Sequence, residues 1–91
     1  MFLQIVWDSA DDPRGNCRHI RDKHKVTVKE VEQVLRNPRN KTVTSRSSGN
    51  PIVFGRTRSG KHIAVVYEYI SGDIPMIYPI TAYPVPKPDR V

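Results

Sequence analysis

The sequence predicts an α+β fold: two N-terminal helices packed on one face of a mostly antiparallel sheet, in the order β-α-α-β-β-β-β. Three observations carry that expectation. Helical signals are confined to the stretch between Asp12 and Pro38. Within it, Thr27 and Glu30 form an S/T-x-x-E capping box ahead of an apolar stripe at helical spacing. From Lys41 onward, β-forming runs alternate with turn residues, and Pro51 to Glu68 reads as a β-hairpin with its cations at the turn.

Phe2 to Trp7 is rich in β-formers and is expected to be the first strand, ended by the polar cluster Asp8 to Asp12. Asp12-Pro13 then looks like a helix start, because Asp caps free amides and Pro costs nothing at the first helical position. That helix should run from Pro13 to about His24, weakened by Gly15 and Asn16. The second helix follows the capping box, with Val26 and Val31 placed as a hydrophobic staple. Val28, Val31, Val34 and Leu35 form its apolar stripe, and Asn37-Pro38 ends it. Lys41 to Ser45 is the next strand, and Ser47 to Pro51 a turn. The hairpin follows, then a turn at Ser71-Gly72-Asp73. The last strand, from about Ile74 to Tyr83, is expected to bulge or lie at an edge because of Pro75 and Pro79.

The length of 91 residues suits one domain, expected over 1–83, with 84–91 as an extended tail carrying Pro84, Pro86 and Pro88. Fifteen Lys and Arg against nine Asp and Glu give a formal charge of +6, which favours a polyanion or an acidic protein as partner. The single Cys17 forms no intramolecular disulfide, and no Cys/His spacing resembles a zinc site. Residues Met1 to Trp7 are too short and too soon followed by Asp8 to be a signal peptide, so a cytoplasmic location is expected.

If Ser59-Gly60 is a two-residue loop, Arg58 pairs with Lys61 and Phe54 with Val65. One face then carries Ile52, Phe54, Arg56, Ile63, Val65 and Tyr67 and should lie under the helices. The other carries Val53, Gly55, Thr57, His62, Ala64, Val66 and Glu68 and should be open to a ligand. Gly55 in mid-strand suggests close approach of a backbone or ligand there. A three-residue loop would move the cations relative to the core.

A set of ordered pieces resembles a known family. They are Trp7-Asp8, Asn16, His19-Ile20, His24, Val26-Thr27, Glu30-Val31-Glu32, Val34-Leu35, Ser45 to Gly49, Gly55, Thr57, Gly60, Val65 to Glu68, Tyr78-Pro79 and Thr81-Ala82-Tyr83. Together they resemble the BrnT-like toxins of bacterial type II toxin-antitoxin systems. The resemblance implies a fold similar to the RelE ribonucleases, cleavage of mRNA without a metal or other cofactor, and silencing by an antitoxin protein. Two places depart from the better-studied members. Asn50 or Pro51 stands where they carry an arginine, with Arg46 nearest, and Thr81-Ala82-Tyr83 replaces a basic Ser-Ala-Arg ending.

Under that resemblance, cleavage needs a base for the ribose 2′-hydroxyl, an acid for the leaving oxygen, and cations around the phosphate. Histidine is the side chain that ordinarily titrates near neutrality. His24, His62, Arg56, Lys61 and Tyr83 are therefore the candidate catalytic residues, with Arg46, Thr57, Arg58, His19 and Lys23 as RNA contacts. His19 lies roughly 140° around the helix from His24, so the two need not form one couple. The alternative is a catalytically weak RNA-binding or antitoxin-binding domain on the same fold.

Overall fold

A computed structural model describes residues 4–70 and 75–87. Its elements are β1 (Gln4–Ile5), α1 (Asn16–His24), α2 (Val28–Leu35), β2 (Lys41–Thr44), β3 (Pro51–Arg56), β4 (His62–Ile70) and β5 (Met76–Pro84). The order is β-α-α-β-β-β-β, as expected. The strands form one sheet in the order β1-β5-β4-β3-β2, parallel only between β1 and β5. The turn expected at Ser71-Gly72-Asp73 lies outside the described residues, as do Phe2, Leu3 and Ile74.

Helix α1 begins three residues later than Pro13 because a turn occupies Asp12 to Gly15. Asp12 accepts the Arg14 N–H on its side chain and the Gly15 N–H on its carbonyl. Gly15 is then extended, at φ −76° and ψ 160°, and makes no side-chain cap. The carboxylate at the helix start is that of Asp8, whose Oδ2 accepts the Asn16 N–H at 3.0 Å. Asn16, itself buried, donates its Nδ2 to the carbonyls of Val6 and Pro79 and accepts the Asp8 N–H. One side chain thus ties the end of β1 to α1 and β5.

Helix α2 forms as its sequence dictates. The Thr27 hydroxyl accepts the Glu30 N–H, and the Glu30 carboxylate accepts the Thr27 N–H. Val26, Val31 and Val34 are fully buried and meet Ile20 of α1 over one face of the sheet, among Val53, Ile63, Val65, Tyr67, Ile77 and Ala82.

The hairpin register differs by one residue from the expected one. Val53 pairs with Val65, Phe54 with Ala64 and Arg56 with His62. The loop has three residues, Arg58, Ser59 and Gly60. The Gly60 N–H closes it on the Thr57 carbonyl at 3.0 Å, and the Thr57 N–H bonds the Lys61 carbonyl at 2.8 Å. Gly60 sits at φ +93°, the left-handed bulge position that a three-residue hairpin loop requires. A one-residue shift sends each β3 side chain to the other face. Val53 and Thr57 are therefore buried beneath the helices, whereas Ile52, Phe54 and Arg56 share the outer face with His62, Ala64 and Val66. Gly55 admits the Asn40 carboxamide rather than a ligand. A Cβ there would fall on that group, which donates to the Val34 carbonyl at the end of α2.

A bulge between Val66 and Tyr67 leaves Ile80 as the extra residue of β5, beside Pro79, so the proline sits where the ladder is interrupted. The ladder continues past Tyr83 through Pro84 and the Val85 N–H, which bonds the His62 carbonyl. The tail therefore starts later than residue 84, and residues 88–91 are not described. Among the described residues, no helix is long and apolar enough to cross a membrane.

Candidate nucleic-acid interface

The three-residue loop brings the hairpin tip against α2. The Arg58 N–H donates to the Gln33 Oε1 at 3.0 Å, fixing the tip to the middle of the helix. The Lys61 ammonium reaches the Lys25 carbonyl at 2.9 Å and the Glu30 carboxylate at 3.2 Å. Lys61, just ahead of β4, thus pins the end of α1 to the start of α2. Burial alone would raise the Glu30 carboxyl, but the Thr27 N–H and the Lys61 ammonium outweigh it and hold the group below its ordinary range.

Two open grooves result along this seam, of about 480 and 510 Å³. Lys29, Gln33 and Arg58 line both. Arg36 and Arg56 extend the first groove, and Lys25 and Lys61 the second. Glu30 and Glu32 are the acidic residues along them. Arginine forks and a lysine ammonium along an open cleft suit a chain of phosphates. Lys25, Lys29, Gln33 and Arg36 are not among the contacts expected from the sequence. Their signal was present: Lys29, Gln33 and Arg36 stand at i, i+4 and i+7, one polar stripe of α2.

A second constellation lies at the edge of β5. Since β1 pairs only with Met76 and Ile77, the C-terminal half of β5 has no strand beside it on that side among the described residues. There the His24 ring lies 6.0 Å from that of Tyr83 and 5.2 Å from that of His19, edge to face. The histidine pair forms despite its angular offset because side chains lean toward a helix's N-terminus, carrying His24 back over the turn before it. His19, His24 and Tyr83 are all half-buried.

The other candidates are dispersed. His62 faces the outer side of the sheet opposite Arg56, two residues along β4 from Ala64, the partner of Tyr83. Thr57, expected to touch RNA, is 2% exposed; its hydroxyl meets the Ser59 hydroxyl and the Lys61 N–H inside the turn. Arg46 sits in the β2–β3 turn, beyond the other end of β3 from Arg56, so the whole strand, about 17 Å long, lies between them. It does not join the hairpin cations. Lys23 is exposed in the last turn of α1 and lines neither groove.

No family model matches the chain, and no curated protein matches it.

Proposed function

We propose that this protein binds RNA along the seam between α2 and the β3–β4 hairpin. It would act as a metal-independent ribonuclease on mRNA, as the toxin of a cytoplasmic type II toxin-antitoxin pair similar to the BrnT-like toxins. The observation that carries the reading is the seam itself, where Lys25, Lys29, Arg36, Arg56, Arg58 and Lys61 line two grooves sharing three residues. Its chemistry is that of phosphate recognition, and its open form admits a flexible strand. The His19, His24 and Tyr83 cluster supplies groups able to move protons at the ribose and the leaving oxygen. Lys61 supports the site by joining α1 to α2 and is a positioning residue.

A second reading, an RNA-binding domain with weak or no cleavage, is favoured by one observation. None of His19, His24 and Tyr83 lines either groove. Incubating a labelled single-stranded RNA with wild type, His24→Ala, Tyr83→Phe and His62→Ala separates the two. The first reading expects cleavage by wild type and a loss of at least about a hundredfold in His24→Ala with RNA affinity retained. Salt-sensitive binding with intact RNA in every lane would leave the second reading standing and end the first.

A further inference from the structure

The face of the sheet opposite the helices has a chemistry that the seam does not use. Val43 of β2 and Phe54 of β3 are each 40% exposed there, with Ile52, Ala64 and Val66 beside them in register. Alternation puts Lys41 and Arg56 on the same face, one pleat from Val43 and Phe54 respectively. A groove of about 500 Å³ runs over this surface, between Phe54, His62, Val85 and Pro86, with Lys41 and Arg56 at its sides. Next to it lies β2, the last strand of the sheet among the described residues, exposed at all four residues from Lys41 to Thr44. The opposite region of the sheet edge is blunted by Pro79 and Pro84 in β5, but β2 contains no proline.

We infer that β2 and the outer face around Val43 and Phe54 dock an extended acidic segment of a partner protein, added as a further strand. An unpaired strand edge supplies main-chain hydrogen bonds, and the adjoining pockets select the side chains. The incoming strand sets an apolar residue beside Val43, with Phe54 one strand further in on the same face. Two positions along, on the same face, a carboxylate meets Lys41 or Arg56. Charge decides between this occupant and a second copy of the chain. Pairing β2 with itself would bring together two molecules of formal charge +6 each, whereas an acidic segment neutralises that surface. Arg56 lines both this groove and the first groove of the seam, so occupancy here removes one cation from the other site. The docking surface rests on the sheet's own chemistry and stands whether or not the seam binds RNA.

The probe is a blocked, fluorescent peptide repeating Val-Thr-Glu-Thr, which presents Val and Glu on one strand face and Thr on the other. A Val-Thr-Lys-Thr peptide is the charge control. Anisotropy with the full chain should show binding of the acidic peptide and at least about tenfold weaker binding of the basic one. Hydrogen exchange should slow at residues 41–44 on binding. Val43→Lys and Phe54→Ser should each weaken the acidic peptide by at least about tenfold, while Lys29→Ala, in the seam, binds it like wild type. If Phe54→Ser fails to fold, Val43→Lys alone decides, since Val43 projects from an edge strand. Absence of binding, equal binding to both peptides, protection at residues 27–36 in place of β2, or a wild-type dimer with β2 protected would each overturn the inference. Loss of RNA binding in Lys29→Ala reports on the seam alone, so the two proposals fail separately.

Discussion

Asp8 holds two elements because its carboxylate faces two donors. Its Oδ2 accepts the Tyr78 hydroxyl at 2.5 Å and the Asn16 N–H at 3.0 Å. The Tyr78 hydrogen bond, followed by that of Asn16, lowers the Asp8 carboxyl below its ordinary range, and the same carboxylate pushes Tyr78 up to about 12. The lowered acid stabilises the fold above its ordinary pKa and loses that contribution as pH falls through the depressed value. The raised phenol contributes below about pH 10 and loses its contribution as pH climbs toward 12. Urea unfolding across pH should therefore show stability declining at both extremes, with Asp8→Asn flattening both limbs. Ultraviolet titration of Asp8→Asn should move one tyrosine back toward about 10; an unchanged tyrosine titration would remove Asp8 as the cause. None of this was legible in the sequence, where Asp8 reads as the end of a strand and as part of the Trp7-Asp8 piece of the resemblance. Its partners lie 8 and 70 residues away, and only the folded sheet brings Tyr78 to it.

At the scale of elements, local chemistry was legible wherever it was sufficient. The capping box fixes the start of α2 with its own side chains, and the valine stripe chooses the buried face. The hairpin was legible as a hairpin, but its register was not, because Ser59-Gly60 suits a two-residue loop as well as the last two places of a three-residue one. That single residue decides which side chains are core. Ile63→Ala should cost roughly 3 kcal/mol, as befits a side chain with no exposure, whereas Phe54→Ala should cost about 1 kcal/mol. Thermal or chemical unfolding of the pair checks the register directly, and a larger loss in Phe54→Ala would restore the two-residue loop. Gly55→Ala should destabilise by about 2 kcal/mol, because the added methyl displaces the Asn40 carboxamide and costs the Val34 carbonyl at the end of α2 its shorter hydrogen bond, leaving only the Asn37 N–H at 3.4 Å. Asn40→Ala should lose a similar amount, and combining it with Gly55→Ala should add little more.

Across the whole molecule, the excess of cations is organised into regions that the sequence presents only as a total. The hairpin arginines were visible as a basic tip, yet their companions Lys25, Lys29 and Arg36 come from the end of α1 and from α2. Arg46, near the hairpin in sequence, is carried to the far end of β3. The histidines divide in the same way. His19 and His24 meet Tyr83 at the β5 edge, while His62 joins the outer face. The class of fold was thus readable from periodicity and turn chemistry, but the site was not, because it is assembled from three elements by the loop register and the Lys61 anchor. The proposal that the seam is the RNA-binding surface is tested most directly by the salt dependence of binding to a single-stranded RNA in wild type, the double variant Lys29→Ala/Arg58→Ala, and Arg46→Ala. Each phosphate contact contributes about 0.7 to the slope of log affinity against log salt, so the double variant should lose about 1.4 from it and bind more weakly, with Arg46→Ala matching wild type. An unchanged slope and affinity in the double variant, or a loss in Arg46→Ala instead, would contradict the assignment.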